Sequence, residues 1–69
     1  MNEWITRRAE ALGAGELSEA EQETLLDLAR IAAHDSGDRT NAPLLCYLVG
    51  RAQGDKTLDE LAEIVRSTS

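Results

Sequence analysis

Apolar residues recur along the chain at three- and four-residue intervals, with polar residues between them. This spacing puts the apolar side chains on one face of a helix, and no segment has the strict alternation typical of a strand. Glycine and polar clusters separate four such segments. The pattern predicts an all-α single domain over residues 1–69, with helices at about residues 2–12, 19–36, 41–53 and 58–66.

The ends of these helices carry residues with recognisable capping chemistry. Asn2 can cap the first helix, and the segments Ser18–Glu21 and Thr57–Glu60 match the capping box, in which a hydroxyl and a glutamate each satisfy a free N–H. Gly37 suits the left-handed residue that ends a helix, and Pro43 suits a first helical turn, where its missing N–H is not needed. The helix boundaries are therefore well defined.

The third predicted helix is apolar on nearly every side. No residue between Ala42 and Val49 is charged, which predicts that this helix is the central one. Gly50 is unfavourable inside a helix, so we expect another backbone to cross closely there. Because the connections are short, neighbouring helices should pack roughly antiparallel, as a compact four-helix bundle or an orthogonal four-helix array.

Composition and charge then exclude several classes of function. The formal net charge is −6, and no cluster of Lys and Arg overrides it, so we expect no binding to nucleic acid. No apolar run is long enough to cross a bilayer and no leader precedes the first helix, so we expect a cytoplasmic protein without a membrane partner. The single cysteine, Cys46, has apolar neighbours and is expected to be an inert, buried thiol.

The richest concentration of polar chemistry lies in the connector from His34 to Leu44. His34 could cap the end of the second helix or act as an acid, a base or a ligand. Arg39 could cap the same end, pair with Asp35 or Asp38, or bind an anion or a partner carboxylate.

Asn41 could cap the third helix or contact a ligand. His34, Arg39 and Asn41 are therefore the candidate recognition residues. No catalytic set, metal-ligand spacing or phosphate-binding glycine loop is present, so we expect no catalytic residues, no metal and no cofactor, and hence no enzyme.

Three segments carry a resemblance to a known group of proteins. They are Met-Asn-Glu-Trp-Ile at the start, Leu-Leu-Asp-Leu-Ala-Arg-x-x-Ala-His from residue 25, and Arg-x-x-Ala-Pro-Leu-x-x-Tyr-Leu-x-Gly from residue 39. Together they resemble a small uncharacterised bacterial helical domain that occurs alone or fused to molybdenum cofactor guanylyltransferases, which couple a guanine nucleotide to molybdopterin. The resemblance implies an accessory role near the maturation of that cofactor, not the transferase activity itself.

These observations lead to two expectations for function. The first is a non-enzymatic accessory or protein-interaction module linked to molybdopterin guanine dinucleotide biosynthesis, with a molybdenum cofactor guanylyltransferase or a second copy of the chain as its partner. Trp4 and Tyr47 are its candidate interface residues. The alternative is a small-ligand or anion-binding domain that uses the connector between the second and third helices.

Overall fold

The computed structural model describes residues 1–68, and this part of the chain forms four helices and no strand. The helices are α1 (Glu3–Ala11), α2 (Glu19–Ser36), α3 (Asn41–Ala52) and α4 (Leu58–Thr68). The prediction of an all-α, four-helix domain is confirmed, and each predicted boundary lies within two residues of the observed one. None of the four helices combines the length and the apolarity needed to cross a membrane.

Side-chain caps explain where the helices begin and end. The Asn2 Oδ1 accepts the Ile5 N–H at 3.0 Å. Ser18 and Glu21 form both bonds of the capping box, at 3.1 and 2.8 Å. Gly37 ends α2 in the left-handed conformation, with φ of 71°.

The second predicted capping box is only half formed. The Thr57 hydroxyl accepts the Glu60 N–H at 3.1 Å, and this bond starts α4. The Glu60 side chain does not return to the backbone of Thr57 within residues 1–68. One hydrogen bond is therefore sufficient to start this helix.

The hydrophobic core forms where α2 meets both α3 and α4. Its buried residues are Leu28 from α2, Val49 from α3, and Leu61 and Ala62 from α4. Helix α2 packs against α3 and α4, so it is the central element. The expectation that the third helix is central was wrong. Helix α2 carries charged residues on one side, but its apolar stripe is wide enough to pack against both α3 and α4.

Helix α3 instead has one covered side and one open side. Leu44, Tyr47 and Leu48 are all more than half exposed, whereas Val49 is buried. In a domain of four short helices, no further element is available in the described part of the chain to cover the second side of α3. The uncharged run between Ala42 and Val49 therefore reflects exposed apolar surface as well as core.

Helix α1 is the least embedded of the four. None of its nine residues is fully buried, and Trp4, Ile5 and Leu12 are exposed. The guanidinium of Arg8 lies 4.0 Å from the centre of the Trp4 ring, a cation–π contact that covers one face of the indole. The stability of the domain therefore depends chiefly on α2, α3 and α4.

An ion-pair network helps to hold α4 against α2. The Asp27 carboxylate on α2 accepts hydrogen bonds from Arg30 at 2.6 Å and from Arg66 of α4 at 3.0 Å. These two bonds lower the pKa of Asp27 from its ordinary value, the bond from Arg30 being the larger cause. The network lies at the surface, so it orients α4 more than it stabilises the fold.

The expectation of a close backbone crossing at Gly50 was also wrong. A Cβ atom built on Gly50 meets nothing within 4 Å, and the residue is exposed. Gly50 lies two residues from the end of α3 and has no positive φ. The structure of residues 1–68 contains no packing reason for glycine at this position.

We therefore predict that Gly50→Ala stabilises the domain by about 0.5–1 kcal/mol, the difference in helix propensity between the two residues. Urea unfolding followed by circular dichroism measures this change in the free energy of unfolding.

Gly37→Ala is the matched control, because Gly37 also has open space around it but holds a φ of 71°. This second variant should destabilise the domain, since alanine is strained at positive φ. A destabilising effect of Gly50→Ala would contradict the prediction.

Candidate functional site

The connector between α2 and α3 is organised around the Ser36 hydroxyl. This oxygen accepts the Asp38 N–H at 3.2 Å and the Asn41 side-chain N–H at 2.9 Å, and the hydroxyl donates to the carbonyl of Ala32. One side chain thus joins the last turn of α2, the connector and the first residue of α3. Sequence reasoning missed this role, although a serine directly before a helix-ending glycine was a signal for it.

A second local motif sets the start of α3. The Asp38 Oδ1 accepts the Thr40 N–H at 2.9 Å and the Thr40 hydroxyl at 2.6 Å. These bonds, first the one from the hydroxyl and then the one from the backbone, lower the pKa of Asp38 from its ordinary value. Several polar groups of the turn are therefore hydrogen-bonded to each other, and these bonds hold the connection between α2 and α3.

The three candidate recognition residues are in different situations. Asn41 is half-buried, and its amide donates to Ser36, so it links the two helices; it does not cap α3, whose N-cap residue is Thr40. His34 and Arg39 are exposed, and neither side chain makes a hydrogen bond or an ion pair within residues 1–68.

Of the alternatives open for these side chains, the ion pair of Arg39 with Asp35 or Asp38 and the capping bonds of Arg39 and His34 do not form within residues 1–68. Local bonds from Ser36 and Thr40 already satisfy the turn. No hydrogen-bonded site joins His34, Arg39 and Asn41 in the described part of the chain.

The two candidate interface residues lie on different helices. Trp4 is on α1 and is 61% exposed, and Tyr47 is on α3 and is 67% exposed. The Tyr47 ring has the guanidinium of Arg51 5.8 Å from its centre. Both rings are thus available at the surface, each with an arginine beside it.

One of two apolar concave surfaces within residues 1–68 is a groove that we call the α3/α4 groove. Its first part, with a volume of about 430 Å³, lies between the end of α2, the start of α3 and the end of α4. Its second part, of about 180 Å³, continues between α3 and α4. Both parts share the lining residues Leu45, Leu48 and Val65.

The connector meets this groove at one end. Asp35, Ser36 and Asn41 line the first part of the groove, so its polar end is built from the turn described above. Leu44 and Leu48 form its α3 side, and Ile64 lines the second part from α4. Sequence reasoning anticipated exposed surface on the third helix but did not identify this groove, because a groove between helices depends on their packing.

A second apolar groove lies between α1 and α2. It also has a volume of about 430 Å³, and its lining includes Trp4, Ile5, Leu25 and Leu26. No charged side chain is among its lining residues.

The described residues offer little chemistry for a metal or a nucleophile. No group of three or more potential metal-ligating side chains occurs within residues 1–68. Cys46 is half-buried, its thiol donates weakly to the Leu25 carbonyl at 3.9 Å, and burial raises its pKa. A thiol with a raised pKa is mostly protonated at neutral pH and therefore a poor nucleophile. The α3/α4 groove therefore offers an apolar surface with one carboxylate, that of Asp35, at the end formed by the connector.

The lowered pKa of Asp38 predicts an acid-sensitive turn. A carboxyl group whose folded pKa lies below its unfolded value of 3.8 contributes stability that is complete above that value. This contribution is lost as the pH falls through the lower, folded pKa. Asp38→Asn should therefore lose less thermal stability than the unmodified protein between about pH 5 and about pH 2.

Carbon-13 NMR titration of the Asp38 carboxyl group measures the cause directly, and a folded pKa at or above 3.8 would contradict the prediction.

Comparisons with known proteins agree with a domain of unassigned activity. No curated protein and no solved structure matches the chain significantly. One family model matches residues 1–69, the whole chain, and it is described as a domain of unknown function, DUF6457. A match over the full length shows the family, so this small all-α chain belongs to the DUF6457 family.

Proposed function

We propose that this domain is a non-enzymatic protein-interaction module whose binding surface is the α3/α4 groove. The observation that supports this proposal is the exposure of Leu44 (60%), Leu48 (56%) and Ile64 (51%) along one groove. Contiguous exposed apolar surface of this kind is characteristic of protein-binding sites in small domains.

The groove offers enough apolar surface to support binding. Fully burying one leucine or isoleucine side chain gains about 1.5–3 kcal/mol relative to leaving it exposed. Leu44, Leu48 and Ile64 each retain half or more of their exposure, so each can contribute part of that gain. Tyr47 adds an aromatic side chain next to the groove on α3, and aromatic residues are enriched where binding energy concentrates.

The proposed partner is a molybdenum cofactor guanylyltransferase, and the proposed role is accessory to its synthesis of the guanine dinucleotide cofactor. The support is the resemblance of three segments, including Arg39–Gly50, to a bacterial domain found alone or fused to these enzymes. The third of those segments contributes the groove residues Leu44 and Leu48.

Isothermal titration of the domain with a purified bacterial molybdenum cofactor guanylyltransferase tests this function. We expect binding, and we expect Leu48→Ser to weaken it at least tenfold, about 1.4 kcal/mol, because the leucine would be buried in the complex. Leu26→Ser is the matched control, since Leu26 is 71% exposed but lies in the other groove. No heat of binding, or equal loss in both variants, would refute the proposal.

A second candidate function is anion binding at the connector. The observation that favours it is the exposed guanidinium of Arg39, which has no partner within residues 1–68. His34 is exposed on the same stretch of chain, whereas the amide of Asn41 is already engaged with Ser36. Arg39 is therefore the residue on which this function would depend.

Thermal unfolding with and without millimolar pyrophosphate tests this second function. Under it, pyrophosphate raises the melting temperature of the unmodified protein, and Arg39→Ala abolishes the rise, because the guanidinium supplies the bidentate contact. Arg51→Ala is the control, since Arg51 is exposed but lies on α3 over Tyr47. An unchanged melting temperature in the unmodified protein would exclude the function.

A further inference from the structure

We infer that the element received by the α3/α4 groove is a short amphipathic helix with basic residues, supplied by another protein. This inference rests on the proposed function, because it identifies the partner surface of the same groove. Three observations carry it, namely the shape of the groove, its apolar lining and the sign of the charges around it.

The shape of the groove suits one helix of a few turns. Its α3 side extends from Asn41 to Ala52, which corresponds to about 16.5 Å at the helical rise of about 1.5 Å per residue. A groove whose walls are helices can hold a third helix, because its side chains fit between the ridges of both. Insertion of an amphipathic helix into such a groove is a recurring mode of recognition.

The lining selects the apolar face of that helix. Leu45 and Val65 are half-buried at the base of the groove and adjoin the core. Leu44 and Leu48 lie on the α3 side of the groove and Ile64 lies on the α4 side, and each has half or more of its side chain exposed. Apolar residues three or four positions apart on a partner helix would cover these side chains together.

The charges around the groove favour a partner helix whose polar face carries basic residues. Asp35 is the charged side chain in its lining, and its carboxylate has no ion pair within residues 1–68. Glu60 lies one turn before Ile64 on α4, is exposed and is likewise unpaired in this part of the chain. A Lys or Arg at the polar end of the groove would meet the Asp35 carboxylate.

The basic side chains of α3 and α4 are already engaged. The guanidinium of Arg51 lies over the Tyr47 ring, and that of Arg66 is bound to Asp27. Both arginines keep their charge in these contacts, and Arg39 of the connector does not line the groove, so the preference for a cationic partner comes from Asp35 in the lining and from the net charge of −6. This charge favours encounter with a cationic partner.

Charge also argues against the other occupants of an apolar groove. A second copy of the chain would bring another net charge of −6, so two copies repel each other. An anionic membrane surface is repelled for the same reason. A cationic helix from another protein is the occupant that satisfies both the apolar lining and the acidic surroundings.

A pair of model peptides tests the inference. The first is a fluorescein-labelled helix of about 14 residues with leucines on one face and lysines on the other, and the second has glutamates in place of the lysines. Fluorescence anisotropy measures their binding to the full chain. We expect the lysine peptide to bind at least tenfold more tightly, and we expect added salt to reduce that difference.

Two variants locate the binding. Leu48→Ser should weaken the lysine peptide at least tenfold, while the control Leu26→Ser, in the α1/α2 groove, should leave its affinity unchanged. Asp35→Asn should weaken the lysine peptide several-fold and should not weaken the glutamate peptide, because it removes an attraction for lysine and a repulsion for glutamate. Circular dichroism establishes that each variant is folded.

Several results would overturn the inference. They are equal affinity for the two peptides, equal effects of Leu48→Ser and Leu26→Ser, or a dimer in sedimentation whose formation blocks the peptide. If Leu48→Ser abolished binding of the guanylyltransferase but the lysine peptide did not bind, the proposed function would stand and this inference would fall. If the peptide bound as expected but the guanylyltransferase did not, the inference would stand and the proposed partner would be rejected.

Discussion

Burial of Leu28 between three helices is the interaction on which the rest of this structure depends. Leu28 has no exposed surface, and the buried residues around it come from α3 and α4. Burying one leucine contributes about 1.5–3 kcal/mol, a large share for a domain whose core has few fully buried side chains. Helix α2 must therefore present apolar surface in two directions, and its position sets the positions of α3 and α4.

This arrangement also explains the exposed apolar surface. Because α3 and α4 both pack against α2, the outer side of α3 has no neighbour in the described part of the chain, and Leu44 and Leu48 line an open groove. A small domain has much surface for its volume, so it cannot bury every apolar side chain. The net charge of −6 and the Asp35 carboxylate in the lining are the basis of the proposal that a cationic partner occupies this groove. The same constraint thus connects the fold to the proposed interaction.

The polar connector illustrates how far a candidate site can be predicted. Its residue types correctly predicted that Gly37 ends α2 and that a new helix follows the turn. They did not reveal that Ser36 and Asp38 would satisfy the turn and leave the Arg39 side chain unbonded within residues 1–68. Several polar residues in one short segment can bond in alternative pairs of similar energy, and only the path of the backbone selects among them.

Local chemistry in the sequence determined the helices themselves. Asn2, Ser18 and Gly37 occupy the capping positions predicted for them, because capping acts over a few residues and needs no tertiary partner. Only the tertiary structure decided which helix is central and where the groove lies. Apolar periodicity identifies a face that can be buried but does not identify what covers it, so an uncharged helix such as α3 can be half core and half binding surface.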